Sequence, residues 1–433
     1  MRVLLNLATL LEQRLSSTSK GVPDALDGVA IGDVPARRLN ILRDSFPAPV
    51  AVIRDSALRT NIELMRRFTE SAGVKLAPHG KTTMCPQLFD MQLEAGAWGM
   101  TCATAAHLRV YRQFGVPRII MANQLMDADS VRLVARHLAS DPGFEFYGIV
   151  DSVEAALRYE EARSELPAGP PLNLLLEIGA VGGRTGVRTE EGALRIAREI
   201  ASMGRCVRLV GVEAFEGIFP GAQSDAEAAV DALLRKVGVI AERIDRENLF
   251  QHASIILSAG GSAHFDQVVK ALKSVRLSRP TTVVLRSGCY ITHDHGIYAT
   301  ALERLRQRSS DTVFAEQGFE PALELWTTVQ SLPEPGLAIV TLGRRDVSFD
   351  AGLPVPIKHY RSGGRAPADI SGRAEILRLN DHHGYLRFSD IDFAIQDRIA
   401  VGISHPCTTF DRWEYLYLVR DNYDVVSVLR TYF

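Results

Sequence analysis

Val74-Lys75-Leu76-Ala77-Pro78-His79-Gly80-Lys81-Thr82-Thr83-Met84 reads as a short apolar strand running into a glycine turn. The next residues, Cys85-Pro86-Gln87-Leu88-Phe89-Asp90-Met91-Gln92-Leu93, open a helix with proline near its start. Lys81 therefore falls on a strand-to-helix turn. A lysine held there is expected to face a pocket, lose solvation and attack a carbonyl to form a Schiff base. Outward from this stretch, further strands are predicted at Trp98–Cys102, Arg118–Ala122, Glu145–Val150, Asn173–Ile178, Leu209–Ala214, Ile255–Ser258 and Thr282–Leu285, with helical patterns between them. Counting Lys75–Pro78, that makes about eight strand-helix repeats, the number that closes a parallel barrel. The predicted fold is α/β, a (β/α)8 TIM-type barrel with a second, smaller β-rich domain. An open doubly wound sheet alternates in the same way, but the glycine-rich dinucleotide fingerprint is missing after the first strand.

The second domain is read from a change of texture past about residue 300. Leu337–Thr341, Ala374–Leu379, Gly384–Phe388 and Arg398–Ile403 look like short antiparallel strands separated by turns, and Ser362–Pro367 like an exposed loop among them. The expected division is an N-terminal segment, 1–48, packing with the β-domain, a barrel over 49–298 that begins with a strand at Val50–Asp55 and a helix from Ser56 to Ser71, and the β-domain over 299–433.

The 433 residues are 46% hydrophobic and 23% charged, as in an ordinary globular chain. A net charge of -2 without basic stripes gives no reason to expect nucleic acid or an anionic membrane. A small molecule is the expected partner. The five cysteines, Cys85, Cys102, Cys206, Cys289 and Cys407, are scattered at long intervals unlike a disulfide framework, so a reducing, cytoplasmic setting is expected. Met1–Leu11 reads as an amphipathic first helix, not a signal peptide, and no apolar run is long enough to span a bilayer.

Catalytic groups of a barrel project from the carboxyl ends of its strands. Here those ends are polar and glycine-rich: His79-Gly80-Lys81, Asn123-Gln124, Glu177 to Gly186, Glu213 to Gly217, Ser258-Ala259-Gly260-Gly261-Ser262 and Arg286-Ser287-Gly288-Cys289-Tyr290. The last two offer unobstructed backbone N–H groups and a hydroxyl, equipment for holding a phosphate, although glycines also serve plain turns. Paired with a reactive lysine on the first strand, they fit pyridoxal 5'-phosphate.

Pro78-His79-Gly80-Lys81-Thr82, Arg184-Thr185-Gly186-Val187, Gly260-Gly261-Ser262 and Arg286-Ser287-Gly288-Cys289-Tyr290, in this order, resemble the alanine racemase-like pyridoxal-phosphate enzymes, in particular the D-serine dehydratase and D-threonine aldolase branch. The resemblance implies that Lys81 forms the internal aldimine, with Arg184 against the cofactor ring and Gly261, Ser262, Gly288 and Tyr290 around the phosphate. It also sets His79 beside the cofactor and directs Gln124 toward substrate. Asp381-His382-His383-Gly384 resembles the family's acidic-His-Gly segment, which makes His383 a catalytic and substrate-contacting candidate. Glu216-Gly217 keeps the family's Glu-Gly but lacks the histidine expected next. A homodimer is implied as well.

His405-Pro406-Cys407 sets an imidazole and a thiol two residues apart, which on an extended segment point to one side and can grip one metal ion. Spacing alone is weak, but the resemblance places a two-ligand metal site here. Thiolate favours zinc, and cysteine at this position resembles the dehydratases, whereas aspartate would resemble the aldolases. His293-Asp294-His295 is either a second metal cluster or a polar loop at the barrel mouth. The implied activity is zinc- and pyridoxal-phosphate-dependent dehydration of D-β-hydroxy amino acids, D-serine to pyruvate and ammonia. Retro-aldol cleavage to glycine and an aldehyde, racemisation, and a non-catalytic cofactor carrier are the alternatives.

Overall fold

The computed structural model describes residues 5–167, 169–219, 223–309 and 312–433. The chain divides into two compact units, one built from Arg66–Lys81 and Gln92–Gly288, the other from residues 5–65, Thr82–Met91 and Cys289–Phe433.

The first unit is an eight-stranded parallel sheet: β1 (Lys75–Leu76), β2 (Met100–Cys102), β3 (Arg118–Met121), β4 (Glu145–Val150), β5 (Leu172–Ile178), β6 (Val207–Ala214), β7 (Ile255–Ala259) and β8 (Thr281–Leu285). Each predicted strand is present. Neighbours pair in sequence from β2 to β8, and β8 pairs with β1. Closure between β1 and β2 comes from Trp98 N donating to Leu76 O at 2.7 Å, Thr101 N donating to Pro78 O at 2.8 Å, and a parallel bridge between His79 and Thr101. Strands buried on both faces need no polar alternation, and every residue of β5 is buried. Ala77, Ile120, Tyr147, Ile149, Leu175, Val210, Ile256 and Val284 fill the interior, with Trp98 packed against them.

Four of the intervening helices start where side chains cap them. Thr104, Asp127, Ser152 and Thr189 accept hydrogen bonds from the backbone N–H groups of His107, Ser130, Ala155 and Gly192, satisfying donors that a helix start leaves open. Gly211 is demanded by the sheet itself: the β5–β6 register shifts beside it, and a Cβ there would stand 2.0 Å from the carbonyl oxygen of Ile256.

The second unit is a ten-stranded sheet. Its main path runs Ala368–Asp369, Val355–Tyr360, Arg398–Gly402, Leu323–Glu334, Val50–Arg54, Tyr415–Val419, Val425–Arg430, and Leu337–Val340, Gly384–Phe388 and Ala374–Leu379 branch from Leu323–Glu334. Val50–Arg54, read from sequence at the head of the barrel segment, belongs here: it pairs antiparallel with Leu323–Glu334 and parallel with Tyr415–Val419. An apolar strand satisfies its backbone with whichever edge tertiary folding presents, so its pattern did not name its sheet. Ser362–Pro367 is the expected exposed loop. Residues before Val50 join the same unit, with Tyr417 Oη donating to Gly21 O at 3.0 Å and Val425 N to Leu39 O at 2.8 Å. Of the expected first helix, Ala8–Leu11 forms one turn, while Met1–Leu4 lie outside the described residues. Among the described residues no helix is long and apolar enough to cross a membrane.

Candidate active site

The carboxyl ends of the barrel strands carry a polar layer. Lys81 lies in the 3-10 turn Gly80–Thr82 after β1, followed by the helix Pro86–Glu94, as the sequence predicts. Its side chain is exposed, which corrects the expectation of a desolvated amine: the turn carries it out of the buried end of the strand. His79 is half-buried, with its Nδ1 enclosed and without a hydrogen-bond partner. Desolvation of the ring, then the positive charges of Lys81 and Arg286, hold His79 well below the ordinary imidazole range. His107 is lowered by the same two causes, burial and then Lys81.

Arg286, just after β8, reaches across the barrel. Its Nη2 lies 2.7 Å from Glu213 Oε2 and donates to Ala214 O at 2.8 Å, while Nη1 donates to Ser258 Oγ at 2.7 Å. Burial pushes Glu213 up to about 7 against the pull of Arg286. Gln124 Nε2 and Thr185 Oγ1 donate to the two oxygens of Glu177 at 2.6 and 2.7 Å. Arg184 is exposed, its guanidinium 4.5 Å from the centroid of the Phe215 ring.

The glycine turn after β7 holds a surprise. Gly260 N and Gly261 N donate to the two oxygens of Glu216 at 3.0 and 2.6 Å, and Glu216 is fully buried. Two successive amides make an anion-binding concavity, and the chain's own carboxylate fills it. The Gly261 N–H expected to meet a phosphate is therefore engaged. Ser262 is half-buried and Gly288 buried, and Ser287 Oγ donates to Gly261 O at 3.1 Å, which ties the two glycine turns together.

In the second unit a polar cluster gathers around Cys407. Its Sγ lies 3.5 Å from Cys289 Sγ and 3.5 Å from Thr82 Oγ1, and Thr82 Oγ1 is 3.6 Å from Cys289 Sγ. His405 Nδ1 stands 2.7 Å from Asp350 Oδ2, and Thr408 Oγ1 donates to Asp350 Oδ1 at 2.7 Å. The segment is not extended: Pro406 has helical dihedrals and Cys407–Phe410 is a helical turn. His405 and Cys407 are thus set beside each other at the start of a helical turn instead of by strand alternation. Hydrogen bonds from Cys289 and His405 hold Cys407 well below the usual thiol range, while its bond with Cys407, then burial, pushes Cys289 up. Cys407 and then Asp350 push His405 up to about 9 against its burial.

Further candidates lie in the second unit. Tyr290 is buried in the 3-10 turn Cys289–Ile291, its ring centroid 6.1 Å from that of Phe319. His383 is exposed on the turn before Gly384–Phe388, with its carbonyl accepting from Asn380 N at 2.8 Å. His293 and Asp294 are buried, not a polar loop in water; Asp294 Oδ1 accepts from the amides of Gly296, Tyr298 and Ala299, and Oδ2 has no hydrogen-bond partner. Sequence reading assigned no role to Asp350 or Cys289 and left that of Glu216 open. Cys289 lay inside a quoted motif, whereas Asp350 has no local signal.

These residues suit the groups the resemblance implies. An exposed primary amine among His79, His107 and Arg286, beside an orphaned buried imidazole nitrogen, suits an anionic aldehyde; the exception is the Gly260–Gly261 concavity. A thiol held toward thiolate, next to an imidazole oriented by a carboxylate, is a donor set for zinc. Among the described residues no group of three or more His, Cys, Asp or Glu side chains stands preassembled around one point.

The sequence model described as "Alanine racemase, N-terminal domain" matches residues 53–280, a little over half of the chain. The chain belongs to this family. A second model, "Putative serine dehydratase domain", matches residues 322–419. The chain is 24% identical to a 3-hydroxy-D-aspartate aldolase of Paracoccus denitrificans (strain Pd 1222), over 87% of its own length and 90% of that protein's. It is 27% identical to a D-threo-3-hydroxyaspartate dehydratase of Delftia sp. (strain HT23), over 84% and 92%. Among solved structures, the D-threonine aldolase from Filomicrobium marinum superposes with a TM-score of 0.72 at 21% identity, covering 89% of this chain and 95% of that one. The predicted alanine racemase-like architecture of parallel barrel and antiparallel β-domain is the fold these proteins share.

Proposed function

We propose that this lyase is a pyridoxal-phosphate- and zinc-dependent dehydratase of D-β-hydroxy amino acids that converts D-serine to pyruvate and ammonia. The observation that carries the reading is Cys407 at the start of a helical turn, two residues from a His405 whose Nδ1 stands 2.7 Å from Asp350 Oδ2. Agreement of the C-terminal match with a serine dehydratase model, and the Delftia dehydratase among the relatives, support it.

When bound, pyridoxal phosphate would supply an electron sink for charge left at Cα, and zinc a Lewis acid for the departing hydroxide. Lys81 would hold the aldehyde, with Arg184 at the ring and Ser262, Gly288 and Tyr290 toward the phosphate; His405 and Cys407 would hold the metal. Lys81 Nζ would take the Cα proton. His79, held well below the ordinary imidazole range by desolvation and then by Lys81 and Arg286, would not act as an imidazolium acid in that step. Gln124 spends one N–H on Glu177 and keeps a second N–H and its carbonyl oxygen for substrate polar groups. His383, exposed on its hairpin turn, is assigned to substrate contact, and the working form is taken as a homodimer.

Retro-aldol cleavage is the second reading, favoured by the names of the Paracoccus and Filomicrobium relatives. A single assay separates the two. Purified protein with pyridoxal phosphate and zinc is given D-serine, D-threonine and 3-hydroxy-D-aspartate, and 2-oxo acid, ammonia, glycine and aldehyde are measured separately. Oxo acid and ammonia in equal amounts from D-serine are expected; glycine as the main product from the larger substrates, with D-serine untouched, would overturn the proposal.

A further inference from the structure

Cys289 lies in the second unit with a surrounding unlike that of an inert core cysteine. Cys102, for comparison, is buried against the sulfur of Met121 at 3.7 Å. Cys289 Sγ instead forms a triangle with Cys407 Sγ and Thr82 Oγ1, with sides of 3.5, 3.5 and 3.6 Å. Two sulfurs each about 2.3 Å from a tetrahedral zinc stand about 3.8 Å apart. The observed separation is close to that value and far beyond the roughly 2.05 Å of a disulfide. A second feature lies five residues on: Asp294 keeps a buried Oδ2 with no hydrogen-bond partner.

We infer that Cys289 is a third protein ligand, sharing with His405 and Cys407 the metal ion of this unit, so that the site is a two-sulfur, one-nitrogen zinc centre. The inference rests on the proposed metal role of His405 and Cys407. Thr82, which touches both sulfurs, is a positioning residue that keeps them at ligand spacing. Three protein ligands leave one tetrahedral position for water or a substrate hydroxyl, the arrangement of a catalytic zinc site. A thiolate in place of a second water also puts more negative charge on the ion.

The test uses the full-length reduced protein, stripped with a chelator and loaded with Co2+. Wild type should show thiolate-to-cobalt charge transfer with the intensity of two thiolates and the visible bands of tetrahedral cobalt. Both Cys289→Ser and Cys407→Ser should fall to the intensity of one, and Cys289→Ser should bind zinc at least about 10-fold more weakly in chelator competition. An unchanged cobalt spectrum in Cys289→Ser overturns the inference while leaving the His405/Cys407 site standing. Failure of wild type to take up cobalt overturns both. X-ray absorption on wild-type zinc protein gives the answer without a variant: two sulfurs per zinc support the inference, one sulfur refutes it.

Discussion

Asp350 Oδ2 stands 2.7 Å from His405 Nδ1. That contact fixes the imidazole ring and leaves Nε2 as its other polar atom, which is how carboxylates prepare histidine to bind a metal. Asp350→Ala is expected to weaken zinc binding about 10- to 100-fold, measured by competition with a chromophoric chelator. Asp350→Asn, which keeps a hydrogen-bonding oxygen, should recover part of the loss. Equal zinc affinity in wild type and Asp350→Ala would sink the assignment.

Lys81 is exposed, so removing its side chain should cost the fold little, within about 0.5 kcal/mol. Lys81→Ala should nevertheless lose the visible absorbance of lysine-bound pyridoxal phosphate and all turnover of D-serine. A variant that kept that absorbance would show that another amine holds the cofactor.

The pair Arg286–Glu213 is buried inside the barrel at 2.7 Å. Taking away the cation leaves a buried carboxyl that must stay uncompensated or bind a proton, and strips Ser258 Oγ and Ala214 O of their donor. Arg286→Met should destabilise the protein by about 3–5 kcal/mol in urea or guanidinium unfolding. The double variant Arg286→Met/Glu213→Leu should recover most of that, because no lone charge remains. A single variant within 1 kcal/mol of wild type, roughly the value of an exposed pair, would contradict the buried geometry.

Glu216 satisfies both Gly260 N and Gly261 N. Glutamine offers one acceptor oxygen where two were used, leaving one amide short of a partner. Glu216→Gln should cost about 1–3 kcal/mol of stability. Amide hydrogen exchange at Gly260 and Gly261 gives the local readout: one of the two should exchange faster in the variant, and unchanged protection of both would count against the contact.

Acid should weaken the fold through buried imidazoles. Burial lowers His293 and His295 to about 4, below the unfolded value near 6.5. Between these values the unfolded chain binds the proton and the folded chain does not, so stability falls as pH drops from about 6.5 toward 4. Each group contributes at most about 3 kcal/mol. Glu213 and Asp294, raised to about 7 and about 6, act with the opposite sign and gain stability as pH falls. A difference curve isolates one group. His293 has a φ of 49°, which asparagine tolerates better than most residues, so His293→Asn should show a shallower loss between pH 6.5 and 4 than wild type. Parallel curves would mean that His293 protonates freely in the folded state.

Much of this was legible along the chain because barrel strands and capped helices are local patterns. The eight barrel strands stood out as apolar runs between helical stretches. Lys81 was placed by the order strand, glycine, lysine, proline-led helix, with no reference to anything distant. The strand Val50–Arg54 was found but put in the wrong sheet, since its five buried or half-buried residues suit either one. His405 and Cys407 were named on a mistaken geometry, an extended segment, and they meet only because Pro406 turns the backbone into a helix.

What the sequence alone determined is the succession of elements and the residue types at the strand ends, for these depend on periodicity and turn chemistry within about ten residues. Tertiary structure decided which of those groups meet. Cys289 and Cys407 are 118 positions apart and Glu216 and Gly261 are 45 apart, yet each pair is in contact. No local pattern encodes such pairings. They exist because the barrel and the ten-stranded sheet each bring distant strand ends together, and because a buried carboxylate or thiol must find a partner in the place where water has been excluded.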